Sequence, residues 1–414
     1  MKEIGVCSVF RYNRKKRGEE IELVMRIWME ALHRSHKRSA LGVWLLVAVA
    51  LSSCGNQTPS ASTTPVEPFW QSADSAQDVL DKEELARIEE AIAQFGGKIN
   101  SVLMMRNGQL IYEQYFHQTS ADTPYRVYSV SKSILSALVG IAIQEGYLSG
   151  TDQRIAELLP KRFEGRSEPE LKQLTVEHLL TMTGGLQAID PIISEWYRSR
   201  SWVDFVLDQP VLAEPGTRFD YNTGLTHLLS AVLTEAAGVS TKELADRHLF
   251  GPMQIENYVW EKDAEGYYVG GTALSMTTRD MAKFGYLYLN RGRWEGEPLI
   301  PEEWIEQSLT PRPASPDYGY LFWLEELEDS SERKLQTYEA NGYGGQHIRI
   351  VPALGAVIVV TSNPSVSPAN ADRLIDEYLV PALAEHPPKV LKPVRRLAQW
   401  PAPQMITAWA DRWL

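Results

Sequence analysis

Ser129 and Lys132 are three residues apart, just before the strongly apolar stretch "ILSALVGIAI". The stretch has helical spacing, and residues three apart on a helix share a face, so the hydroxyl and the amine can meet. Burial lowers the pKa of a lysine, and a neutral amine can take a proton from a serine hydroxyl. The pair predicts nucleophilic catalysis; the alternative is that Ser129 only caps the helix and Lys132 is solvated.

Tyr221 is a second candidate, within "EPGTRFDYNTGLTHLLSAVL". The pattern places it at a loop–helix junction, with a helix from Leu225 onward, where a hydroxyl can face a cleft. A tyrosine beside a lysine can shuttle protons, because the cation favours the phenolate. The alternative is a core tyrosine.

A third candidate segment is "EANGYGGQHIRI", in which Gly342, Gly344 and Gly345 precede a strand. Glycines at a strand edge let a substrate backbone approach closely. The alternative is a tight turn or a bulge.

These segments need a scaffold, and the remaining pattern predicts one α+β domain. A helix over about residues 81–95 precedes a hairpin that turns at Asn107-Gly108, and the stretch 150–290 is rich in helical patterns. A second hairpin turns at Pro352–Gly355 and is followed by a closing helix. We expect the two hairpins to share an antiparallel sheet, with the helical middle covering one side.

Composition limits the possible functions. The chain has 414 residues, 44% of them hydrophobic, and a formal net charge of −12, which argues against a nucleic-acid partner. Its 8 histidines show no HxH or HExxH spacing, so we expect no metal site and no cofactor. Beyond residue 53 its only cysteine is Cys54, which excludes disulfides within that part.

Residues 1–53 are typical of a secretion signal: a basic stretch precedes an apolar run over residues 40–51. The sequence "LSSC" resembles the bacterial lipobox, in which Cys54 becomes the lipid-bearing first residue; the alternative is an ordinary signal with an incidental cysteine. We therefore expect an exported protein, lipid-anchored to the membrane of a bacterial cell envelope. Residues 54–75 predict a flexible tether, 76–390 the folded domain and 391–414 a C-terminal extension.

The three segments, in this order, resemble the serine β-lactamase-like family, which includes class C β-lactamases, D-Ala-D-Ala carboxypeptidases, family VIII esterases and 6-aminohexanoate-dimer hydrolases. "SVSK" is similar to its S-x-x-K motif and "YNT" to its Y-x-N/S motif, while "ANGYGG" stands where the family carries K-T-G or H-x-G. Intervening stretches such as "TVEHLLTMTGGL" and "GGQHIRIVP" also look alike. The resemblance covers about residues 85–385.

The resemblance implies an antiparallel sheet flanked by helices, a helical lobe, and acyl transfer in the cleft between them. It implies that Ser129 is the nucleophile, Lys132 its base and Tyr221 the second base. It places backbone N–H groups of Ser129 and Tyr343 at the oxyanion, with Gly342 beside them. Gln346 is a candidate for substrate recognition, with a structural role as the alternative.

The sequence departs from the family pattern at two positions. Thr223 replaces the asparagine expected two residues after the tyrosine, and we expect the neighbouring Asn222 to point elsewhere. Ala340 replaces the Lys or His that helps bind a substrate carboxylate. We interpret His178 as a helix-packing residue.

The loss of the cation at Ala340 favours hydrolysis of a small ester or amide in the envelope. The alternatives are a peptidoglycan D-Ala-D-Ala carboxypeptidase, which acts on a peptide, or a β-lactamase. A non-catalytic penicillin-binding-like sensor is an alternative of another class.

Overall fold

An antiparallel sheet lies at the centre of the described part of the chain, and its strands come from both ends of the sequence. The computed structural model describes residue 80 and residues 82–95, 97–328, 334–364, 368–384 and 392–393. Its strands are β1 (Ile99–Arg106), β2 (Gln109–Tyr115), β3 (Pro124–Arg126), β4 (Val259–Trp260), β5 (Leu274–Thr277), β6 (Arg293–Trp294), β7 (Glu297–Pro298), β8 (Trp323–Glu328), β9 (Lys334–Gly342), β10 (Gln346–Val351), β11 (Ala356–Ser362) and β12 (Lys392–Pro393). Within these residues the main sheet has the order β12-β8-β9-β10-β11-β1-β2.

The two predicted hairpins are present and pair with each other. Asn107 and Gly108 connect β1 to β2 with φ angles of 50° and 79°, the positive values that a tight hairpin turn requires. The short helical turn Pro352–Leu354 connects β10 to β11. β11 pairs with β1 in a register that begins at Ile99 and Ser362, so the two hairpins share one antiparallel sheet, as the sequence predicts, and the second hairpin occupies its middle.

Helices fill the middle of the chain, as expected. None of the helices among the described residues is both long and apolar enough to cross a membrane. They are α1 (Lys82–Gln94), α2 (Val130–Gln144), α3 (Ile155–Leu158), α4 (Pro160–Phe163), α5 (Val176–Leu180), α6 (Ile193–Arg198), α7 (Trp202–Leu207), α8 (Thr223–Ala237), α9 (Thr241–Ala245), α10 (Thr278–Leu289), α11 (Glu302–Ser308), α12 (Pro368–Leu374) and α13 (Val380–Leu383), with 3-10 turns at Leu171–Gln173, Asp190–Ile192 and Pro352–Leu354 and π turns at Asp246–Phe250 and Ile375–Leu379.

The sheet separates two hydrophobic cores, because successive side chains of a strand point to opposite faces. On β1, Leu103 and Met105 join the core that contains α2, α8 and α10. Val102 and Met104 join the other core, with α1 and the helices that follow β11. The helical middle therefore covers one face of the sheet, and helices from the two ends of the domain cover the other.

Helix α10 lies directly on the two central strands. A Cβ atom at Gly285 would be 2.6 Å from the Val357 side chain and 2.7 Å from that of Ile348. A side chain at this position would push the helix off the sheet, so glycine allows the close approach.

Charged side chains form a buried cluster on the face of β9 and β10 that is opposite α10. Arg349 is 0% exposed and its guanidinium nitrogens are 2.7 Å from Glu325, 2.9 Å from Glu339 and 3.3 Å from Asp376. His347 also contacts Glu339. Removing one member would leave a buried charge without its partner, so the cluster ties the C-terminal helices to the sheet.

Candidate active site

Ser129 lies at the start of α2, and its hydroxyl is not used to cap the helix. It occupies the N-cap position, but its side chain makes no capping hydrogen bond. The preceding residue, Tyr128, has a φ angle of 48°, a left-handed backbone that is unfavourable for a bulky residue. Such strain is common at functional sites, and the capping alternative for Ser129 has no support in this geometry.

Lys132 is 1% exposed and reaches back to the serine. Its Nζ lies 2.9 Å from Ser129 Oγ, 2.9 Å from the carbonyl oxygen of Gly271 and 3.2 Å from Thr223 Oγ1. Burial lowers the pKa of Lys132 to about 7, against the opposing effect of the Asp190 charge. The amine is therefore available in its neutral form near neutral pH, as the sequence predicts.

Tyr221 precedes α8 and faces the same amine. Lys132 Nζ lies 5.0 Å from the centre of its ring, and Trp323 stacks on the ring at 5.8 Å. Burial raises the pKa of Tyr221 well above its usual value, and a hydrogen bond with Ser129 acts in the opposite direction. The expectation that the lysine favours a phenolate is therefore wrong: the buried tyrosine is a neutral phenol.

The loop of the third segment lies beside the chain that leads to the nucleophile. A Cβ atom at Gly342 would be 2.2 Å from the carbonyl oxygen of Val127. The ring of Tyr343 packs edge-on against Tyr128 at 5.5 Å. Gly342 is therefore needed for close approach of the protein's own backbone. From the sequence we expected the glycines of this segment to admit a substrate backbone, with a tight turn or a bulge as the alternative.

Gln346 uses both ends of its side chain on backbone groups. Its Nε2 donates to the carbonyl oxygens of Ser362, at 2.7 Å, and Gly344, at 3.4 Å, while its Oε1 accepts from the Ser362 N–H at 3.3 Å. The residue is 1% exposed. Of its two predicted roles, these bonds support the structural one: Gln346 holds the glycine loop to β11.

The position expected to carry a cation holds Ala340, which is 1% exposed on β9. Arg349, a basic residue on the neighbouring strand β10, does not face this side of the sheet. Ala340 belongs to the core that contains α2, whereas Arg349 lies in the ion cluster on the opposite face. Neither residue supplies a positive charge beside Ser129.

Three groups of this site were missed by the sequence analysis: Asp190, Gly271 and the hydroxyl of Thr223. Asp190 Oδ1 and Oδ2 accept hydrogen bonds from Thr223 Oγ1, at 2.6 Å, and Thr223 N, at 2.7 Å. Asn222 points elsewhere, as predicted: its side chain caps α8 by accepting from Gly224 N at 2.9 Å. The only sequence signal for Thr223 was its departure from the motif.

His178 has the structural role that the sequence analysis gave it. It forms a capping box at the start of α5, in which its Nδ1 accepts from the Thr175 N–H and its own N–H donates to Thr175 Oγ1. Burial lowers the pKa of His178.

One group of described residues has metal-ligand chemistry, and it lies across the sheet from Ser129. Potential ligand atoms of Glu339, His347 and Asp372 are all within 4.8 Å of one another. Arg349 is bound to the same Glu339 carboxylate at 2.9 Å, and both carboxylates raise the pKa of His347. Arg349 already supplies positive charge to the group, and the carboxylates favour the charged form of His347, so the group fits an ion-pair cluster better than a metal centre.

The sheet, its helical lobe and the serine–lysine pair between them define a β-lactamase/transpeptidase-like α+β fold. The family model for Beta-lactamase matches residues 88–380, and the chain belongs to this family of serine hydrolases.

Known proteins with different activities are similar to the chain. A 6-aminohexanoate-dimer hydrolase of Paenarthrobacter ureafaciens is 23% identical over 357 residues, which are 81% of this chain and 87% of that protein. The structure of EstCE1, described as a hydrolase with promiscuous acyltransferase activity, has a TM-score of 0.59 at 17% identity and covers 73% of this chain and 98% of its own. The structure of a penicillin-binding protein from Bacillus halodurans has a TM-score of 0.56 at 20% identity, and the match covers 70% of this chain and 98% of that protein.

Proposed function

We propose that the chain hydrolyses an ester or amide through an acyl-enzyme on Ser129. The observation that carries this proposal is the 2.9 Å contact between Ser129 Oγ and the buried amine of Lys132. A neutral lysine at this distance can accept the hydroxyl proton as the oxygen attacks.

The proposed reaction has two acyl-transfer steps. Ser129 Oγ attacks the substrate carbonyl carbon while Lys132 takes its proton, and the oxyanion is bound by the backbone N–H groups of Ser129 and Tyr343. The bond to the leaving group then breaks, and a proton passes from the Lys132 ammonium through the neutral Tyr221 phenol to the leaving group. Water attacks the acyl-enzyme by the same proton route in reverse, which releases the acid and regenerates Ser129.

We propose that the substrate carries no carboxylate next to the scissile bond. Related enzymes bind such a carboxylate with the cation that Ala340 replaces here, and a charge-assisted hydrogen bond contributes about 1.5–3 kcal/mol. Four half-buried rings lie near the serine–lysine pair: Tyr128, which precedes Ser129, packs against Tyr343, and Tyr221, whose ring centre is 5.0 Å from Lys132 Nζ, stacks on Trp323. Both features favour an uncharged ester or amide over penicillins and D-Ala-D-Ala peptides.

Labelling with a fluorophosphonate tests the nucleophile. Wild type is expected to be labelled on Ser129, as identified by mass spectrometry, and Ser129→Ala is expected to lose both labelling and hydrolysis. Ser131→Ala is the matched control, since Ser131 Oγ is buried and donates to the carbonyl oxygen of Tyr128. Unlabelled wild type would instead support the non-catalytic sensor, and labelling of Ser131 would move the nucleophile.

A comparison of kcat/KM tests the substrate class. We expect p-nitrophenyl butyrate to be hydrolysed much faster than nitrocefin or a D-Ala-D-Ala peptide. A higher value for nitrocefin or the peptide would support the β-lactamase or carboxypeptidase alternative. The 6-aminohexanoate dimer, named in the relative from Paenarthrobacter ureafaciens, is a further amide for this panel.

We also propose that the protein is exported and held at the membrane of the cell envelope by a lipid on Cys54. The support is the sequence "LSSC" after an apolar run. Cys54, the signal segment 1–53 and the tether 54–75 lie outside the described residues, as does the C-terminal extension 391–414 apart from residues 392–393. In this position the hydrolase would meet substrates outside the cytoplasm.

A further inference from the structure

Asp190 is linked to the lysine through a single threonine. Its carboxylate accepts two hydrogen bonds from Thr223, from Oγ1 at 2.6 Å and from the backbone N–H at 2.7 Å. Thr223 Oγ1 in turn lies 3.2 Å from Lys132 Nζ. The chain of contacts therefore runs from Asp190 through Thr223 to Lys132 and ends at Ser129.

The direction of each hydrogen bond in this chain follows from the groups involved. An ionised carboxylate can only accept, so the Thr223 hydroxyl proton points to Asp190 and the hydroxyl oxygen accepts from Lys132. The carbonyl oxygen of Gly271, 2.9 Å from Nζ, can also only accept. These two contacts use both N–H groups of a neutral amine. The lone pair of Lys132 is then left for the proton of Ser129.

We propose that Asp190 is a positioning residue of this site, which acts through Thr223 to keep the lone pair of Lys132 directed at Ser129. The inference rests on the proposed function, because it assumes that Lys132 is the base for Ser129. It adds a residue that does not itself touch the substrate.

The same contacts fit the site after proton transfer. A lysine ammonium has three N–H groups, and these match Gly271 O, Thr223 Oγ1 and Ser129 Oγ. Only the Ser129–Lys132 hydrogen bond reverses its direction. The amine can therefore accept and return the proton without a change of partners.

Asp190 also acts by its charge. The titratable groups that face Lys132 from the elements packed against it are Asp190, on its 3-10 turn, and Tyr221, before α8. Burial lowers the pKa of Lys132 and Asp190 raises it. Burial also raises the pKa of Asp190, while Lys132 and the Thr223 hydrogen bonds lower it.

The variant Asp190→Asn, made in the full-length protein, tests both the positioning through Thr223 and the effect of the Asp190 charge on Lys132. An amide has one accepting oxygen for two Thr223 donors, so the Thr223 hydroxyl is released to donate to Lys132 and to occupy its lone pair. We expect the plateau rate to fall by about tenfold or more. Loss of the negative charge is expected to move the acidic limb of the pH profile to lower pH by about one unit.

The readout is the rate of fluorophosphonate labelling at Ser129 between pH 5 and 9, with kcat and KM for an uncharged ester. Thr223→Val is expected to lower the plateau rate without moving the acidic limb of the pH profile to lower pH. Thr223→Ser, which keeps the hydroxyl, is expected to have the wild-type labelling rate. Thr226→Val is the matched control: Thr226 is a buried threonine on α8 whose hydroxyl donates to Thr223 O at 2.8 Å.

The outcomes separate this inference from the proposed function. A lower plateau rate in Asp190→Asn, together with an acidic limb at lower pH and labelling still at Ser129, supports the positioning role. The same limb in Asp190→Asn and Thr226→Val overturns that role and leaves Ser129 as the nucleophile, whereas labelling away from Ser129 in wild type overturns the proposed function. If Asp190→Asn does not fold, the threonine variants decide. Slow fluorophosphonate labelling of Thr223→Val together with a wild-type labelling rate in Thr223→Ser supports the inference. Equal labelling rates of Thr223→Val and Thr226→Val overturn it.

Discussion

In the proposed mechanism, burial is what allows Lys132 to act as a base near neutral pH. Because its pKa is lowered to about 7, the amine is protonated and inactive at low pH and neutral at higher pH. We expect kcat/KM for an uncharged ester to rise with pH and to reach half its plateau near pH 7. A profile that is flat from pH 5 to pH 9 would contradict the assignment of Lys132 as the base.

The same burial has a cost in stability, which Lys132→Met should remove together with activity. An unfolded lysine is protonated up to about pH 10.5, and the folded amine is neutral down to about pH 7. Between these values the unfolded state binds more protons, so wild type loses stability as pH falls. At about 1.4 kcal/mol per pKa unit, we expect the variant to gain about 2–4 kcal/mol at pH 7 after loss of the lysine hydrogen bonds.

Urea unfolding of wild type and Lys132→Met at pH 7 and pH 9 measures this gain. The stability difference is expected to shrink at pH 9, where the wild-type cost is smaller. A difference that is equal at the two pH values would mean that the folded lysine keeps its charge.

Tyr221→Phe keeps the ring and removes only the hydroxyl. If the phenol relays protons to the leaving group, kcat should fall by about a hundredfold or more. The melting temperature should change little, because the stacking on Trp323 remains. Near-normal kcat with an ester whose leaving group needs a proton would show that Lys132 transfers protons without Tyr221.

At the scale of single residues, the sequence predicted which candidate side chains lie together but not all of their surroundings. Spacing on one helix turn brought Ser129 and Lys132 together, and the loop–helix junction placed Tyr221. Asp190 lies in a 3-10 turn of three residues, which has no recognisable sequence period, and only the folded chain brings it to Thr223. The pKa of Tyr221 was misjudged because a sequence shows the neighbouring charge but not the degree of burial.

At the scale of elements, the end of β9 lies in close contact with the segment before α2, and this contact would position the proposed oxyanion N–H groups relative to Ser129. Gly342→Ala would place a methyl group 2.2 Å from the carbonyl oxygen of Val127. We therefore expect a lower melting temperature and a loss of about 1–3 kcal/mol in stability, with a fall in kcat that exceeds any change in KM. A destabilised variant with normal kcat would show that this contact contributes to stability but not to catalysis.

Long, regular elements were predictable and short ones were not. The sequence gives clear helical spacing for α2 and a turn at Asn107-Gly108, and both are present. The lobe contains helices of four to six residues, such as α3 and α7, which are too short to show a period. Their packing, which brings Asp190 and Gly271 to Lys132, depends on tertiary contacts.

At the scale of the whole molecule, the lipid anchor that we propose at Cys54 would determine where the hydrolase acts. Cys54→Ser is expected to move the protein from the membrane fraction to the soluble fraction of the envelope, because "LSSC" is the anchoring sequence we infer. Fractionation with immunoblotting measures the change, and Ser53→Ala is the control that keeps the cysteine. Membrane association that persists in Cys54→Ser would point to an uncleaved signal or to another binding surface.

The pairing of β1 with β11 has a consequence for how the chain folds. Ile99 pairs with Ser362, so the centre of the sheet cannot close until nearly the whole domain has been synthesised, and contacts of such sequence separation slow folding. Until β11 arrives, β1 and β10 have open edges rich in apolar residues, which readily pair with other chains. A chain that ends before Ala356 should therefore aggregate, although it contains Ser129, Lys132 and every other residue assigned to the reaction.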